Sequence, residues 1–197
     1  MRIFIALDIP AEIRRRLDEY MQRARSYAPD ARWARVEGLH VTLKFVGEAG
    51  EELVEKIKGA LARVKASPFE VKFEGVGGFP NPRSPRVFWA GVDGGEALPR
   101  LAAAIDAALE KLGLAREEKA YHPHLTLARA TTHPLRELAP LFSPQHAQTP
   151  RALGAPQPGN GQSPQFGTMT AREFFMYQSK PQRGGSKYTK LERFQLE

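Results

Sequence analysis

Two short stretches of this chain carry the residue types for proton-transfer chemistry at matched spacing: His40-Val41-Thr42-Leu43 and His124-Leu125-Thr126-Leu127. A single His-x-Thr triplet would be a weak motif. Two copies, each inside a stretch that alternates apolar and polar residues, are much more specific. In a strand, positions i and i+2 share a face, so each imidazole has a threonine hydroxyl beside it. A histidine near its free pKa of about 6.5 gives or takes a proton close to neutral pH. Two of them can divide acid and base duties, while the hydroxyls donate to a phosphoryl oxygen where charge accumulates. His40, His122 and His124 could instead supply imidazoles to a metal. No carboxylate lies near either motif to complete or orient such a set, so the acid–base reading ranks first and no metal site is assigned.

The elements that hold these residues are legible in the hydrophobic pattern. Residues 2–9 read as a strand, and Ile13, Leu17, Tyr20, Met21 and Ala24 recur at helical spacing, so a helix is expected to about Tyr27. Residues 39–46 alternate, with Leu39, Val41, Leu43 and Phe45 on one face and His40, Thr42 and Lys44 on the other. A helix over 50–66 and a strand from Phe69 to Phe73 follow, then a loop over 77–86 dense in Gly and Pro. Residues 86–92 read as a strand, Leu98 to Leu112 as a helix stopped by Gly113, and 121–129 as a strand.

The second series repeats the first. Ile3, Phe4 and Ala6 align with Val87, Phe88 and Ala90 at an offset of 84, the separation of His40 from His124 and of Thr42 from Thr126. Residues 145–168 hold five Gln, four Pro and four Gly, with Leu153 and Phe166 the large apolar residues, and read as a long loop or insertion. Regular structure is expected to resume at Arg172, with a strand over 173–179, a basic turn over 180–187 and a final strand from Tyr188 to Leu196.

Composition narrows the function classes. At 197 residues, 42% hydrophobic and 26% charged, the chain suits one globular domain over 1–197. The absence of cysteine excludes disulfides, thiolate metal sites and cysteine nucleophiles. A net charge of +7 favours a polyanionic partner such as nucleic acid. Arg83, Arg86, Lys180, Arg183 and Lys187 are candidates for RNA phosphates. Phe45, Trp89 and Tyr121 are candidates for base stacking, although Phe45 and Trp89 sit in apolar patterns that favour the core. No stretch approaches the roughly 18 apolar residues of a membrane span, and the opening apolar run is too short for a signal peptide. A cytoplasmic monomer with no membrane association is the expectation.

The two His-x-Thr motifs, the opening RIFIALDIP, the block GLHVTLKFVGE at 38–48, YHPHLTLAR at 121–129 and the late Ser179, Gly184 and Tyr188 together resemble the 2H phosphoesterase superfamily. Within it, the chain is similar to the RNA 2′,3′-cyclic phosphodiesterases, also called 2′-5′ RNA ligases, over about 1–142 and 172–196. The resemblance implies an α+β fold of two pseudo-symmetric lobes, each an antiparallel sheet with helices outside, and an active-site cleft between them. It implies a cofactor-free hydrolysis of RNA 2′,3′-cyclic phosphate ends, or of small cyclic nucleotides, to 2′-phosphates. The reverse reaction would be a 2′-5′ ligation. His40 would be the general acid on the leaving 3′ oxygen and His124 the base that activates water. Thr42 and Thr126 would hold phosphate oxygens. Arg129 would join them, although its odd spacing from Thr126 puts it on the opposite strand face unless the strand bulges first. The alternatives are a non-catalytic RNA-binding module, or a 2H enzyme acting on another small cyclic nucleotide.

Overall fold

In a computed structural model of the chain, described here for residues 1–142, 163–183 and 185–197, twelve helices and strands build an α+β fold. They are β1 (Arg2–Leu7), α1 (Ala11–Ala24), β2 (Arg32–Trp33), β3 (Val41–Glu48), α2 (Glu51–Leu61), β4 (Phe69–Phe79), β5 (Val87–Asp93), α3 (Ala97–Glu110), β6 (His124–Arg129), β7 (Gln165–Ala171), β8 (Glu173–Gln182) and β9 (Gly185–Gln195). One lobe is a four-stranded sheet in the order β3-β1-β8-β9. The other is a five-stranded sheet in the order β2-β6-β5-β4-β7. Every pairing is antiparallel.

The helices form where apolar residues recur every three or four positions. Ile13, Leu17, Met21 and Ala24 of α1 are buried, as are Val54, Ile57 and Leu61 of α2 and Leu98, Leu101, Ile105 and Leu109 of α3. Glu12–Arg16 and Arg15–Glu19 pairs at i,i+4 line the outer face of α1. α1 ends at Ala24, short of the expected Tyr27. The buried faces of both sheets and the helices merge into one continuous apolar core. A small aromatic cluster of Phe4, Phe175 and Tyr177 with Ala6 forms apart from this core.

Parts of two expected loops are strand. Gly77 to Phe79 extend β4, because their backbone pairs with Val87 to Trp89 of β5. β7 begins at Gln165, inside the stretch expected to be a loop over 145–168. Its side chains are mostly small and polar, but its backbone completes the β4 edge and Phe166 is buried in the core. The part of that stretch from 145 to 162 lies outside the described residues, as does Gly184. β8 and β9 also reach further than expected, to Gln182 and from Gly185.

Each strand that carries a motif is interrupted by a bulge at the same place. In β3, Ala6 opposes Thr42 but Ile5 opposes Lys44, leaving Leu43 unpaired. In β6, Trp89 opposes Thr126 but Phe88 opposes Ala128, leaving Leu127 unpaired. Leu127 follows Leu43 by the 84 residues that separate the motifs. After each bulge the side chains change faces. Leu43 and Lys44 are consecutive buried residues, and so are Leu127 and Ala128. From His40 to Phe45 the succession is half-buried, buried, half-buried, buried, buried, exposed, and it is the same from His124 to Arg129.

The bulge overturns two expectations drawn from strict alternation. Phe45 is not a core residue but 63% exposed, and Lys44 does not face solvent but is 6% exposed. The register also corrects the alignment of the opening strands. Leu7 opposes Val41 as Ala90 opposes Leu125, so β5 follows β1 by 83 residues, not 84. Core-facing Ile5 and Leu7 therefore correspond to core-facing Phe88 and Ala90.

Candidate active site

His40 and His124 enter their strands in the same local geometry. The Nδ1 of His40 lies 2.7 Å from the carbonyl oxygen of Gly38, and the Nδ1 of His124 lies 2.7 Å from that of His122. A carbonyl only accepts, so each Nδ1 carries the hydrogen and each Nε2 is the atom left for proton transfer. The neighbouring His122 thus orients His124 through its backbone, while its imidazole is exposed against Phe79.

The two motifs are drawn together across the lobes. Tyr121, three residues before His124, donates its hydroxyl hydrogen to the backbone carbonyl of Thr42 at 2.9 Å. Lys44, behind Thr42, reaches Asp106 on α3 at 2.5 Å and donates to the carbonyl of Ala115 at 2.7 Å. Thr42 and Thr126 are half-buried and share a face with the histidine two residues before them. Arg129 is exposed, and the bulge at Leu127 brings it to the face of His124 and Thr126, where its charge acts on His124. Directly opposite Arg129 in the ladder stands Arg32 of β2, a residue with no motif in the sequence to signal it. Among the described residues neither arginine is in an ion pair within 4.0 Å.

Burial pushes the pKa of His40 down to about 4, against the opposing effect of the Gly38 carbonyl, with the charges of Arg14 and His124 adding to the depression. Burial also lowers that of His124, with the charges of Arg129 and His122 acting the same way. Both imidazoles are therefore neutral in the unliganded protein at pH 7.

Aromatic rings brace each histidine differently. Around His40 stand Phe4 at 4.6 Å and Tyr188 at 5.1 Å between ring centres. Around His124 stand Phe79 at 5.1 Å and Trp89 at 6.5 Å. Trp89 is thus on the cleft face, not in the core as expected, and its indole lies over Gly77. A Cβ there would come within 2.2 Å of the ring, so this position admits only glycine without moving the tryptophan. Beside His40 a cavity of about 240 Å³ is lined by Asp8, Arg14, Gly38, Tyr188 and Lys190 among others. Burial opposes ionisation of Asp8, but the hydrogen bond from Lys190 and the charges of Arg14 and Lys190 hold its carboxyl below the usual range.

The basic residues singled out in loops are less convergent. Arg83 and Arg86 lie within the β4–β5 connection, and Lys180, Arg183 and Lys187 lie at the far end of the β8–β9 hairpin, all exposed. Among the described residues, no group of three or more His, Asp or Glu could hold a metal ion, and no helix is long and apolar enough to cross a membrane.

Known proteins share this two-sheet fold. A family model described as LigT-like phosphoesterase matches residues 7–89. A protein of Archaeoglobus fulgidus named RNA 2′,3′-cyclic phosphodiesterase is 36% identical over 179 residues, 91% of each chain. One of the same name from Methanothermobacter thermautotrophicus is 31% identical over 199 residues, covering 100% of this chain and 99% of its own. Among solved structures, Escherichia coli LigT complexed with 3′-AMP superimposes with a TM-score of 0.74 at 28% identity, covering 99% of this chain and 97% of its own. A Thermus thermophilus protein gives 0.75 at 29% identity, covering 100% and 98%.

Proposed function

The chain belongs to the LigT-like phosphoesterase family, and from that premise we propose that it opens 2′,3′-cyclic phosphate ends of RNA to 2′-phosphates by acid–base catalysis shared between His40 and His124, with no metal or cofactor. The observation that carries this reading is the repeated device at the two motifs. Each imidazole is pinned through Nδ1 by the carbonyl two residues before it, so that both Nε2 atoms are free for one phosphate. The names of the Archaeoglobus and Methanothermobacter relatives and the 3′-AMP bound by the Escherichia coli protein support the substrate class.

In this mechanism His124 takes a proton from water as the water oxygen bonds to phosphorus. The bond from phosphorus to the 3′ oxygen breaks, and His40 delivers a proton to that oxygen. The assignment of acid and base follows the family resemblance. The phosphate monoanion supplies what burial withholds, because a nearby negative charge favours the imidazolium form. Thr42 and Thr126 donate to the non-bridging oxygens, and Arg129 offsets the charge that builds on them. A 5′-hydroxyl in place of water would run the sequence toward a 2′-5′ linkage.

The test is to offer adenosine 2′,3′-cyclic phosphate in EDTA and identify the product. A 2′-phosphate formed at full rate in chelator, and abolished by either His40→Ala or His124→Ala, supports the reading. A 3′-phosphate, a requirement for added metal, or near wild-type turnover by either variant contradicts it. The roles separate on a 3′-thio analogue, whose leaving sulfur needs no acid. That analogue should rescue His40→Ala and leave His124→Ala inactive.

A further inference from the structure

Resting on that functional reading, we propose that Arg14 is the positioning residue of the general acid. Its guanidinium clamps the turn before β3 and so fixes the carbonyl that aims His40 at the leaving 3′ oxygen.

The two lobes build the same device from different parts. In each, the carbonyl two residues before the histidine holds Nδ1. In the five-stranded lobe the chain there reads Tyr121-His122-Pro123-His124. Pro123 has a locked φ and restricts the residue before it, so the His122 carbonyl projects from a backbone that is stiff on its own. Tyr121 adds its hydrogen bond to the Thr42 carbonyl. In the four-stranded lobe the equivalent residues, 84 positions earlier, are Glu37-Gly38-Leu39-His40. Here the pinning carbonyl belongs to a glycine, the residue least able to hold a direction by itself. Tyr188 crowds this glycine from one side, since a Cβ on Gly38 would lie 3.1 Å from its ring. The stiffness that proline gives one lobe must reach the other from outside the segment.

Arg14 supplies it. It stands on the first turn of α1, half-buried, and gives four of the five N–H groups of its guanidinium to protein partners. Nη1 donates to the carbonyls of Val36 at 2.8 Å and Glu37 at 2.9 Å, the two residues before Gly38. Nε donates to the Ile9 carbonyl at 3.1 Å, and Nη2 donates to the Asp8 carboxylate. Asp8 in turn accepts from the Ile9 amide and from Lys190 of β9. One side chain thus ties the turn to the end of β1, the start of α1 and β9. The last clamped carbonyl, that of Glu37, is the immediate neighbour of the one that pins His40. Charge separates placement from field. The Arg14 guanidinium opposes the imidazolium form of His40, and the Asp8 carboxylate favours it. The field of Arg14 by itself hinders an acid, so what the residue contributes is geometry.

The experiment compares kcat on adenosine 2′,3′-cyclic phosphate with kcat on its 3′-thio analogue, whose leaving sulfur needs no acid. Both rates come from one sample, so their ratio does not depend on how much of a variant is folded. Arg14→Lys keeps the charge and the buried stem but loses the planar fork, and Arg14→Ala removes all three. Each should lower kcat on the oxygen substrate by roughly tenfold or more, because misplacing a catalytic group by about 1 Å costs up to about a hundredfold. KM should change little, and kcat on the thio analogue should stay near wild type. In the His40→Ala background, Arg14→Lys should cost nothing further on either substrate. Equal losses on both substrates, full activity on both, or an added loss in the His40→Ala background overturns the positioning role and leaves the phosphodiesterase reading intact. A His40→Ala variant that the thio analogue does not rescue overturns the reading itself.

Discussion

Replacing Asp106 by Ala should cost this protein a large share of its stability, and the size follows from what is left behind. Lys44 is 6% exposed, with its Nζ held by the Asp106 carboxylate at 2.5 Å and the Ala115 carbonyl at 2.7 Å. Burial opposes ionisation of Asp106, but the hydrogen bonds from Lys44 and the Glu117 amide hold its carboxyl below the usual range. Asp106→Ala strands a buried ammonium on one neutral acceptor, and breaking a buried pair from one side costs about 3–5 kcal/mol. Total stability of a domain is about 5–15 kcal/mol, and each kcal/mol shifts Tm by roughly 2–4 °C at this chain length. Tm should therefore fall by roughly 6–20 °C. Adding Lys44→Met removes the stranded charge and should recover most of the loss, because an apolar replacement of a buried pair is often neutral. Urea unfolding followed by tryptophan fluorescence measures both. A single variant within about 1 kcal/mol of wild type, or a double variant no better than the single, would refute the claim that this pair is held dry between β3 and α3.

Three further outcomes follow from the site. The pKa of His40 is pushed down from 6.5 to about 4, so the stability contributed by keeping it neutral is whole above pH 6.5 and is lost as pH falls toward 4. The loss should reach about 3 kcal/mol, and His40→Gln should flatten the pH dependence of urea unfolding over that window. The profile of kcat/KM against pH should be a bell, because one imidazole must be charged and the other neutral. Its limbs should reflect the free-protein groups, near 4 for His40 and below 6.5 for His124, placing the maximum on the acid side of 6.5. Tyr121→Phe removes the hydrogen bond to Thr42 while keeping the ring. It should cost about 0.5–1.5 kcal/mol in urea unfolding and lower kcat more than it raises KM, since it loosens one motif against the other.

The candidate site is legible in the sequence because it depends on residue type and period, both of which a sequence carries. His40, Thr42, His124 and Thr126 read as two polar strand faces, and the buried residues of α1, α2 and α3 match their helical spacing. The bulges at Leu43 and Leu127 are not legible. An extra residue in one strand changes no composition, yet it reverses every face beyond it. That single device explains why strict alternation puts Phe45 in the core and Lys44 in solvent, the reverse of where they lie. It also supplies the bulge on which the expectation for Arg129 depends. β2 and β7 escape for a different reason. Arg32–Trp33 is too short to show alternation, and β7 is an edge strand recruited through backbone pairing with β4, with Phe166 as its one large buried residue. Arg32 gains its place opposite Arg129 only through that tertiary pairing.

The central claim, that two imidazoles from different lobes address one phosphate, is tested most directly by titrating the protein with inorganic phosphate. The ring-proton NMR signals of His40 and His124 should be followed together, assigned through His40→Ala and His124→Ala. Both signals should move with one shared Kd, each toward its protonated position. Movement of one alone, or of the two with separate affinities, would contradict it.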